Sequence, residues 1–507
     1  MEAGGETIND YPTAQHVDQF LHTLSDEIPM QEIWIYCYKG LHHANTAINQ
    51  LENITEIDEE ADPALVSRRI GEMKFLRGLY HFMLVQIFGG VPIADDEITP
   101  SEFETPRADI KTVLSYIEGE LKDAIPLLPN RSQVSSSQIG RATKGAAQSL
   151  LLKTLVYESS YAENYPGDER FGDCQNRWEE ALSYGLDVFD PSAPEASEYS
   201  LVGRDGERYS SWRTGTDTDA TIDGFRWLFT ADGDNSSGSI FEIQSIFDQL
   251  GYGITHGNVL TVYQTVRQYI EPGTGEISNS FGGWSFNCPT DALVAAFMNN
   301  DPRETGLNSS VLDSAEMDPR FKTTVGQNGD SALFGADYTR VAINCDNLPT
   351  GRIGRKFECG YDEYWFYTND PWSGPFNVRL IRLADVMLLT AEAAFKTGDN
   401  QTALDLVNLV RERARACGTT GEPAPLSAIS YEDIIHERRL ELALEPHRFF
   451  DLVRWGLAEE LIGGEPILAL GSNFTIEFIP GKHEFFPLPI SEVELSNGAL
   501  VQYGPWQ

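Results

Sequence analysis

Large aromatic side chains are concentrated in the middle third of this 507-residue chain, where they could bind a ligand by stacking. Any single ring could instead serve local packing. As a set they favour a binding platform, because a solvated loop rarely keeps so many large aromatic residues without a use. Ring faces stack on apolar ligand faces, and neighbouring Asn, Asp and Arg side chains hydrogen-bond a polar rim. The candidate binding residues are Trp212, Tyr252, Trp284, Tyr361, Tyr364, Trp365, Tyr367 and Trp372.

Patterns that could bind a metal are weaker. Residues 232–238 (DGDNSSG) begin like a calcium loop, but Ser237 and Ile243 occupy the sixth and twelfth positions, where an EF-hand needs Gly and Glu. A tight turn is the simpler interpretation, and a calcium site of another type is the alternative. His436 opens a sequence like a zinc-protease motif that lacks the second His. We predict no metal and no cofactor.

The six cysteines are scattered, with no C-x-x-C pair and no His at a metal-binding spacing, so we expect neither a zinc nor a redox site. Cys345 and Cys359 could form a bridge or remain two buried thiols. Catalysis has no clear signature either. Among 77 acidic residues some pair will lie ~5–9.5 Å apart by chance, as in glycosidases, but none is singled out. We predict no catalytic residue.

The charge balance excludes several classes of partner. Lys and Arg total 37 against 77 Asp and Glu, which gives a net charge of −40. A field of this sign repels nucleic acid and anionic lipid headgroups. No stretch reaches the ~18 apolar residues of a membrane span, and no signal-peptide pattern opens the chain. We expect targeting information to lie outside this sequence.

The elements that must position the aromatic residues are helices at both ends of the chain. Apolar residues recur there at the helical period. Between residues 190 and 376, Gly, Asp, Ser and Asn punctuate short β-like runs such as residues 239–244. The periodicity predicts helices over residues 33–51, 65–88, 110–128, 143–159, 178–189, 379–396, 401–416 and 431–461.

Two of these helix pairs look like repeats. Residues 391–404 place small Ala residues on a helix before a Gly-Asp turn and a second helix, which resembles a tetratricopeptide hairpin, and residues 146–155 with 178–182 look like another. We therefore predict a mostly α fold, a tetratricopeptide-like right-handed helical superhelix with a long loop-rich insertion forming a second subregion. The predicted boundaries are 1–190 for the N-terminal helical part, 191–376 for the loop-rich binding region and 377–507 for the C-terminal helical part.

Four segments go beyond generic helix. They are residues 72–93 (EMKFLRGLYHF running into FGGVPI), 381–386 (IRLADV), 437–456 (ERRLEL followed by HRFFDLVRWG) and 486–490 (FPLPI). In this order the segments resemble the SusD/RagB family, the outer-surface lipoproteins that work with TonB-dependent glycan importers.

The resemblance implies a cell-surface protein of the outer membrane that binds polysaccharide or oligosaccharide and is not an enzyme. It also implies a SusC-like TonB-dependent transporter as partner, and a lipid anchor as the only membrane attachment, whose Cys is not in this chain. Sugars present C–H faces and hydroxyl rims, which suits the aromatic and polar residues of the middle region. The family's motifs do not carry its sugar contacts, so no site residue transfers from them.

The motif residues themselves are expected to be scaffold. Arginines alternate with acids inside Leu- and Ala-rich helices, which predicts ion pairs between helices, with an anion site as the alternative. Trp455 is expected in the core. The arginines are Arg77, Arg382, Arg438, Arg439, Arg448 and Arg454, and the acids are Asp385, Glu392, Glu437, Glu441 and Asp451.

Two other functions remain open at this stage. One is a helical glycoside hydrolase or lyase, and the other is a tetratricopeptide adaptor, which would be expected to line a concave face with Asn and Lys. The negative charge favours a neutral polysaccharide, unless the arginines of the middle region form a local positive patch. These arginines are Arg204, Arg208, Arg213 and Arg226.

Overall fold

The structure is a computed structural model. It describes residues 11–24, 29–54, 61–96, 104–210, 221–245, 257–264, 267–270, 274–279, 283–298, 317–332, 341–357, 374, 376–464, 466–467 and 474–507.

Helices dominate both ends of the described chain. The N-terminal helices are α1 (Pro12–Asp18), α2 (Pro29–Glu52), α3 (Pro63–Phe88), α4 (Ile110–Ala124), α5 (Lys144–Asn164) and α6 (Trp178–Val188). The middle region holds α7 (Gly224–Leu228), α8 (Leu260–Gln264), α9 (Asp291–Phe297) and α10 (Phe321–Thr324). The C-terminal helices are α11 (Leu383–Thr397), α12 (Asn400–Ala416), α13 (Tyr431–Glu441), α14 (Arg448–Arg454), α15 (Ala458–Ile462) and α16 (Ile490–Leu495).

Helix ends follow local sequence signals. Asp62 caps α3 by accepting a hydrogen bond from the Ala64 N–H, and Asp109 caps α4 in the same way through Thr112. Short polar side chains at this position satisfy backbone donors that the first turn leaves unpaired. The predicted helices of the N-terminal part are confirmed, with ends that differ by a few residues.

The helix predicted over residues 379–396 begins too early. Val378–Arg382 is a strand, β10, and α11 starts at Leu383. The Leu383 N–H donates to the Gly238 carbonyl at 3.0 Å, so the chain leaves the sheet and enters the helix without a loop. The alternating apolar residues of β10 run directly into the helical period of α11. The sequence pattern therefore predicts one helix across both elements.

A continuous helix over residues 431–461 is also wrong. The segment divides into α13, α14 and α15. Leu444 adopts a left-handed conformation with φ 66°, and Pro446 follows it, so the helical hydrogen-bond ladder cannot continue. Gly456, at φ 68°, ends the second piece.

Consecutive helices pack against one another as a stack. α2 packs on α3, α3 on α4, α4 on α5 and α5 on α6. The stack then passes from α6 directly to α11, which packs on α12 and α13. The whole stretch between α6 and α11 is therefore an insertion into a continuous superhelix. The predicted mostly α, tetratricopeptide-like fold with a long insertion is confirmed.

The insertion carries short antiparallel strands. These are β1 (Arg208–Ser210), β2 (Thr221–Asp223), β3 (Ser239–Ile243), β4 (Gln268–Ile270), β5 (Ile277–Asn279), β6 (Val325–Gln327), β7 (Ser331–Ala332), β8 (Val341–Asn344) and β9 (Arg352–Gly354). A four-stranded sheet has the order β5-β4-β8-β7, while β1 pairs with β2, β6 with β9, and β3 with β10. The pair β11 (Pro466–Ile467) and β12 (Phe474–Thr475) lies near the C-terminus. The β3–β10 pair ties the insertion to the start of α11.

Buried ion pairs hold the C-terminal helices together. Glu441 on α13 accepts hydrogen bonds from Arg320, Arg382 and Arg413, and all four side chains are fully buried. Burial alone would raise the pKa of Glu441, but the guanidinium groups outweigh it and hold that pKa well below its usual range. Arg320 comes from the insertion, so the network also fastens the insertion to the scaffold.

A second buried cluster centres on Glu392 in α11. Arg454 donates to both of its carboxylate oxygens, at 2.8 and 2.7 Å, and the Trp455 indole N–H donates to it at 2.8 Å. Arg438 bridges Asp385 and Asp451 beside this cluster. Trp455 is 5% exposed, which confirms its place in the core. Arg382, Arg438 and Arg454 are thus paired with motif acids, as the scaffold interpretation predicts, whereas Nη1 of Arg448 has no hydrogen-bond partner in the described part of the chain.

Candidate functional site

Most of the predicted binding residues lie outside the described residues. These are Trp212, Tyr252, Tyr361, Tyr364, Trp365, Tyr367 and Trp372. Trp284 is described, and it belongs to an aromatic cluster. Its surroundings form the candidate site.

Trp284 contacts two other rings edge to face. Its indole lies 5.3 Å from the Tyr263 ring with an interplanar angle of 74°, and 5.5 Å from the Phe286 ring at 78°. Tyr263 and Phe286 are themselves stacked, with centroids 5.8 Å apart and planes 23° apart. Such aromatic contacts contribute about 0.5–1.5 kcal/mol beyond the area they bury. The three rings therefore form a mutually supported group.

Two hydrogen bonds, one between Phe286 and α8 and one between Ser285 and Arg267, set the directions of these rings. The Phe286 N–H donates to the Tyr263 carbonyl at 2.6 Å, and the Arg267 N–H donates to the Ser285 hydroxyl at 2.8 Å. Ser285 adopts φ 54°, a left-handed conformation that turns the chain between Trp284 and Phe286. The turn brings both side chains against Tyr263.

Tyr11, at the start of α1, completes the cluster from the other end of the chain. Its ring stacks on Tyr263 at 6.5 Å with an interplanar angle of 10° and lies 6.2 Å from Phe286. Burial raises the pKa of the Tyr11 phenol, and the neighbouring Tyr263 and Glu32 raise it further. The hydroxyl therefore stays protonated at neutral pH and can both donate and accept a hydrogen bond.

Exposure increases across the cluster from floor to rim. Phe286 is 9% exposed, Tyr263 and Trp284 are half-buried, and Tyr11 is 38% exposed. A buried ring under half-exposed rings provides a rigid apolar surface that solvent reaches. This arrangement can stack against the C–H face of a sugar at little entropic cost, because the rings are already fixed.

A polar group lies next to the cluster. Gln264 follows Tyr263, and its side chain is 7% exposed. Its Oε1 atom has no hydrogen-bond partner in the described part of the chain. An unpaired buried acceptor costs about 1–3 kcal/mol, so a donor supplied by water or by a ligand hydroxyl would be favourable there.

Sequence reasoning identified Trp284 but missed Tyr11, Tyr263 and Phe286. Tyr263 and Phe286 lie in the aromatic-rich middle region, so composition was a usable signal for them. Tyr11 has no local signal, since it is far from the other three in sequence and joins them only through the tertiary fold.

Two other patterns singled out in the sequence are the calcium-like loop and the cysteine pair. In the calcium-like loop, Asp234 accepts hydrogen bonds from the Asn377 N–H and from Arg379, each at 3.0 Å. Burial raises the pKa of Asp234 to about 7, and Arg379 offsets this only in part. Across the described ranges, no group of three or more His, Cys, Asp or Glu side chains could hold a metal ion. Cys345 is a buried free thiol, and Cys359 lies outside the described residues.

The middle-region arginines differ in their partners. Arg204 forms an ion pair with Glu412 at 3.5 Å, whereas Arg226 donates to the Arg355 carbonyl at 3.0 Å. Arg208 also interacts with other residues, and Arg213 lies outside the described residues. Arg204 is thus charge-compensated by an acid, which weakens the case for a positive patch.

Two stretches of the chain match known protein families. Residues 261–506 match the SusD family, and residues 6–155 match a family described as starch-binding and associating with the outer membrane. Together they cover most of the described scaffold. None of the helices in the described ranges combines the length and apolar character of a membrane span.

Individual relatives extend the likeness over the whole chain. The chain is 36% identical over 500 residues to SusD-like protein P2 of Formosa agariphila, covering 95% of this chain and 82% of that protein. It is 24% identical over 447 residues to the starch-binding protein SusD of Bacteroides thetaiotaomicron, covering 84% and 70%. A solved structure of a laminarin-binding SusD-like protein has a TM-score of 0.70 and 27% identity, covering 99% of this chain and 91% of that one.

Proposed function

The chain belongs to the SusD family of glycan-binding proteins, and from this premise we propose that it captures a neutral polysaccharide at the cell surface and delivers it to a TonB-dependent outer-membrane transporter. The observation that carries the binding part is the cluster of Tyr11, Tyr263, Trp284 and Phe286, whose rings are held together and reach solvent at one edge.

Charge supports a neutral ligand. A net charge of −40 disfavours a polyanionic glycan, because bringing like charges together costs free energy at low salt. The aromatic cluster stacks with any sugar that presents a C–H face and needs no charge on it. Laminarin, which the solved relative binds, is a neutral glucan and is the first polysaccharide to try.

The binding test compares Trp284→Ala with a matched aromatic control. Affinity gels containing laminarin, starch, xylan or mannan identify a bound glycan, and calorimetry then measures its affinity. Trp284→Ala should weaken binding at least tenfold, which corresponds to ~1.4 kcal/mol. Tyr36→Ala removes an aromatic ring that is 64% exposed on α2 and should leave glycan affinity unchanged. Equal affinity of Trp284→Ala and the unmodified chain would contradict the role of the cluster.

An exposed apolar surface supports docking of the transporter. Ile35 and Tyr36 project from α2, while Ile490 and Leu495 project from α16, and Leu495 is 70% exposed. The two helices meet where Gln31 donates to the Ser491 hydroxyl at 3.2 Å. Exposed apolar side chains brought together in this way mark interaction surfaces.

The docking test uses the chain expressed with its transporter in an outer-membrane preparation. Tyr36→Ala combined with Leu495→Asp should reduce recovery of the barrel with the tagged chain, while Trp284→Ala should not. Undiminished recovery with the double variant would place the docking surface elsewhere.

Product analysis distinguishes a glycan-binding protein from the alternative, a glycoside hydrolase or lyase. We propose that the chain binds its glycan without cleaving it. Purified protein incubated with a bound polysaccharide should release no reducing sugar above background. Release that survives repurification and is abolished by one carboxylate substitution would establish a hydrolase instead.

A further inference from the structure

A stacked aromatic pair lies on the insertion in elements separate from the cluster around Trp284. The ring centroids of Tyr209 and Trp227 are 4.5 Å apart and their planes 21° apart. Tyr209 is on β1, which pairs with β2 through the Tyr209–Ile222 register, and β2 runs directly into α7, which carries Trp227. The strand pairing thus fixes the two rings against each other.

Both rings are half-buried. Each uses one face for the other, and within the described part of the chain neither makes a further ring contact. Core aromatic residues of this protein, such as Phe225 next to this pair, are fully buried. The partial exposure of Tyr209 and Trp227 therefore leaves aromatic surface available to a ligand.

The rim of the pair carries hydrogen-bonding groups. The Tyr209 hydroxyl donates to the Glu207 carboxylate at 3.0 Å, and Glu207 is exposed. Burial and this carboxylate raise the pKa of Tyr209 to about 12, so the phenol stays protonated. The remaining lone pairs of Glu207 can accept hydrogen bonds from ligand hydroxyls.

A cleft adjoins the same segment. Arg204, which precedes Glu207 and Tyr209, pairs with Glu412 on α12 at 3.5 Å, and these side chains are 40% and 47% exposed. Glu412 lines an open cleft of about 300 Å³. This volume lies at the lower end of the ~300–1,000 Å³ range of small-molecule sites. The other lining residues are Pro191, Asp405, Asn408, Leu409 and Arg415.

The polar wall of the cleft is held in place by backbone contacts. Asn408 donates to the Leu426 carbonyl at 3.0 Å and accepts from its N–H at 2.8 Å, and Arg415 donates to the Pro423 carbonyl. Pre-positioned side chains lose little entropy when a ligand binds. Pro191 and Leu409 contribute apolar surface between these groups.

We propose that Tyr209, Trp227 and the adjoining cleft form a second carbohydrate-binding site. The aromatic faces suit the C–H face of a sugar ring, and Glu207, Glu412 and Asp405 suit its hydroxyls. Arg204 pairs with Glu412, and Arg415 also lines the cleft, so the acids are accompanied by basic side chains and the site is suited to a neutral saccharide. Two sites on one chain raise its avidity for a long polysaccharide, because binding at one raises the local concentration of glycan at the other.

The proposal rests on the proposed glycan-binding function and is tested by stoichiometry. Calorimetry with laminarihexaose, and with starch, xylan and mannan oligosaccharides of similar length, measures the number of oligosaccharides bound per chain. The unmodified chain should bind two. Trp227→Ala and Trp284→Ala should each bind one, and the double variant none. Thermal melts identify variants that have lost their fold.

The exposed variant Glu207→Gln provides the same test without removing a ring, and it should weaken one of the two binding events about tenfold or more. One binding event in the unmodified chain that Trp284→Ala abolishes, or unchanged binding in both Trp227→Ala and Glu207→Gln, overturns the second site and leaves the proposed function intact. No binding of any of these oligosaccharides contradicts both proposals.

Discussion

At the residue scale, this fold depends most on buried arginine–carboxylate pairs such as Arg454 and Glu392. Arg454 and Glu392 are both fully buried, and two hydrogen bonds join the guanidinium group to the carboxylate. A buried ion pair adds little net stability over well-packed apolar residues, but removing one partner leaves an uncompensated charge. Arg454 is therefore expected to be needed for folding, and its pairing with Glu392 leaves it unavailable to an anionic ligand.

Arg454→Ala should lower the free energy of unfolding by about 3–5 kcal/mol, because Glu392 and Asp451 would keep buried charges with fewer partners. Trp455→Ala should cost a similar amount, because it leaves a cavity and removes one hydrogen-bond donor from the buried Glu392. Lys122→Ala is the control, since its pair with Glu118 is partly exposed and worth at most about 1 kcal/mol. Urea denaturation measures all three. A cost for Arg454→Ala no larger than the control would contradict this view.

A buried neutral histidine makes stability depend on pH. The His81 ring is fully buried, with Nδ1 within 2.9 Å of the Arg77 carbonyl and Nε2 accepting from the Ala94 N–H at 3.2 Å. Nδ1 therefore carries the proton and donates it. Burial lowers the pKa of His81 to about 4. The unfolded chain, with a His pKa of about 6.5, binds more protons than the folded chain between these values.

The contribution of His81 to the free energy of unfolding is fully present above pH 6.5 and is lost as the pH falls through 4. The lowered pKa makes this contribution at most about 3 kcal/mol. His81→Gln keeps an amide donor and acceptor but cannot titrate, so its free energy of unfolding should fall less steeply between pH 6.5 and 4. Denaturant titrations at several pH values measure the slopes. Parallel slopes for the two proteins would show that His81 does not titrate in this window.

At the element scale, glycines serve different purposes inside helices and at their ends. Gly398 follows α11 with φ 86°, a left-handed conformation that costs other residues about 1 kcal/mol. Gly119 is exposed within α4, where a Cβ atom would meet nothing within 4 Å. Gly398→Ala should destabilise the protein by about 1 kcal/mol, whereas Gly119→Ala should stabilise it by about 0.5–1 kcal/mol. Thermal melts of both variants test this, and shifts of the same sign would contradict it.

The segment between β9 and β10 holds the densest group of predicted ligand aromatics, and these lie outside the described residues. Their role in binding remains a prediction from the sequence. Trp365→Ala combined with Trp372→Ala should weaken glycan binding at least tenfold, or ~1.4 kcal/mol, with little change in folding. Calorimetry and thermal melts on the same variant measure both. Normal affinity of this variant, with loss of binding in Trp284→Ala, would place the platform in the earlier loops alone.

At the scale of the whole molecule, net charge should select the ligand class. A charge of −40 produces a repulsive field that reaches about 30 Å at 10 mM salt and about 8 Å at 150 mM. Affinity for a neutral glucan such as laminarin should therefore change little with salt. A sulfated or uronate-rich polysaccharide should bind weakly at 10 mM and more tightly as salt rises. Affinity gels at both salt concentrations provide the test, and tight low-salt binding of a polyanion would reveal a local positive site.

The architecture joins a scaffold held by buried ion pairs to an insertion that carries most of the candidate binding aromatics. Arg320 in the insertion pairs with Glu437 and Glu441 on α13, and β3 pairs with β10 at the start of α11. Loops fixed to a rigid scaffold in this way can present binding residues without being ordered by the ligand. This separation explains why the recognisable motifs are structural and the candidate ligand contacts lie elsewhere.

The amino-acid sequence alone determined most of the helices, the scaffold role of Arg382, Arg438 and Arg454, and the family. These features depend on short-range patterns, since helical periodicity and motif spacing involve residues a few positions apart. The sequence did not reveal where helical character begins at Leu383 or breaks at Leu444, because strand pairing and a left-handed backbone decide those points.

Only the tertiary structure brought Tyr11 onto Tyr263 and Phe286, converged three arginines on Glu441, and set Tyr209 against Trp227. Tyr11 comes from the first described helix and Phe286 from the insertion, so no local pattern connects them. Contacts between residues so distant in sequence depend on how the insertion folds back onto the superhelix, and that is set by the total packing and pairing free energy of the chain.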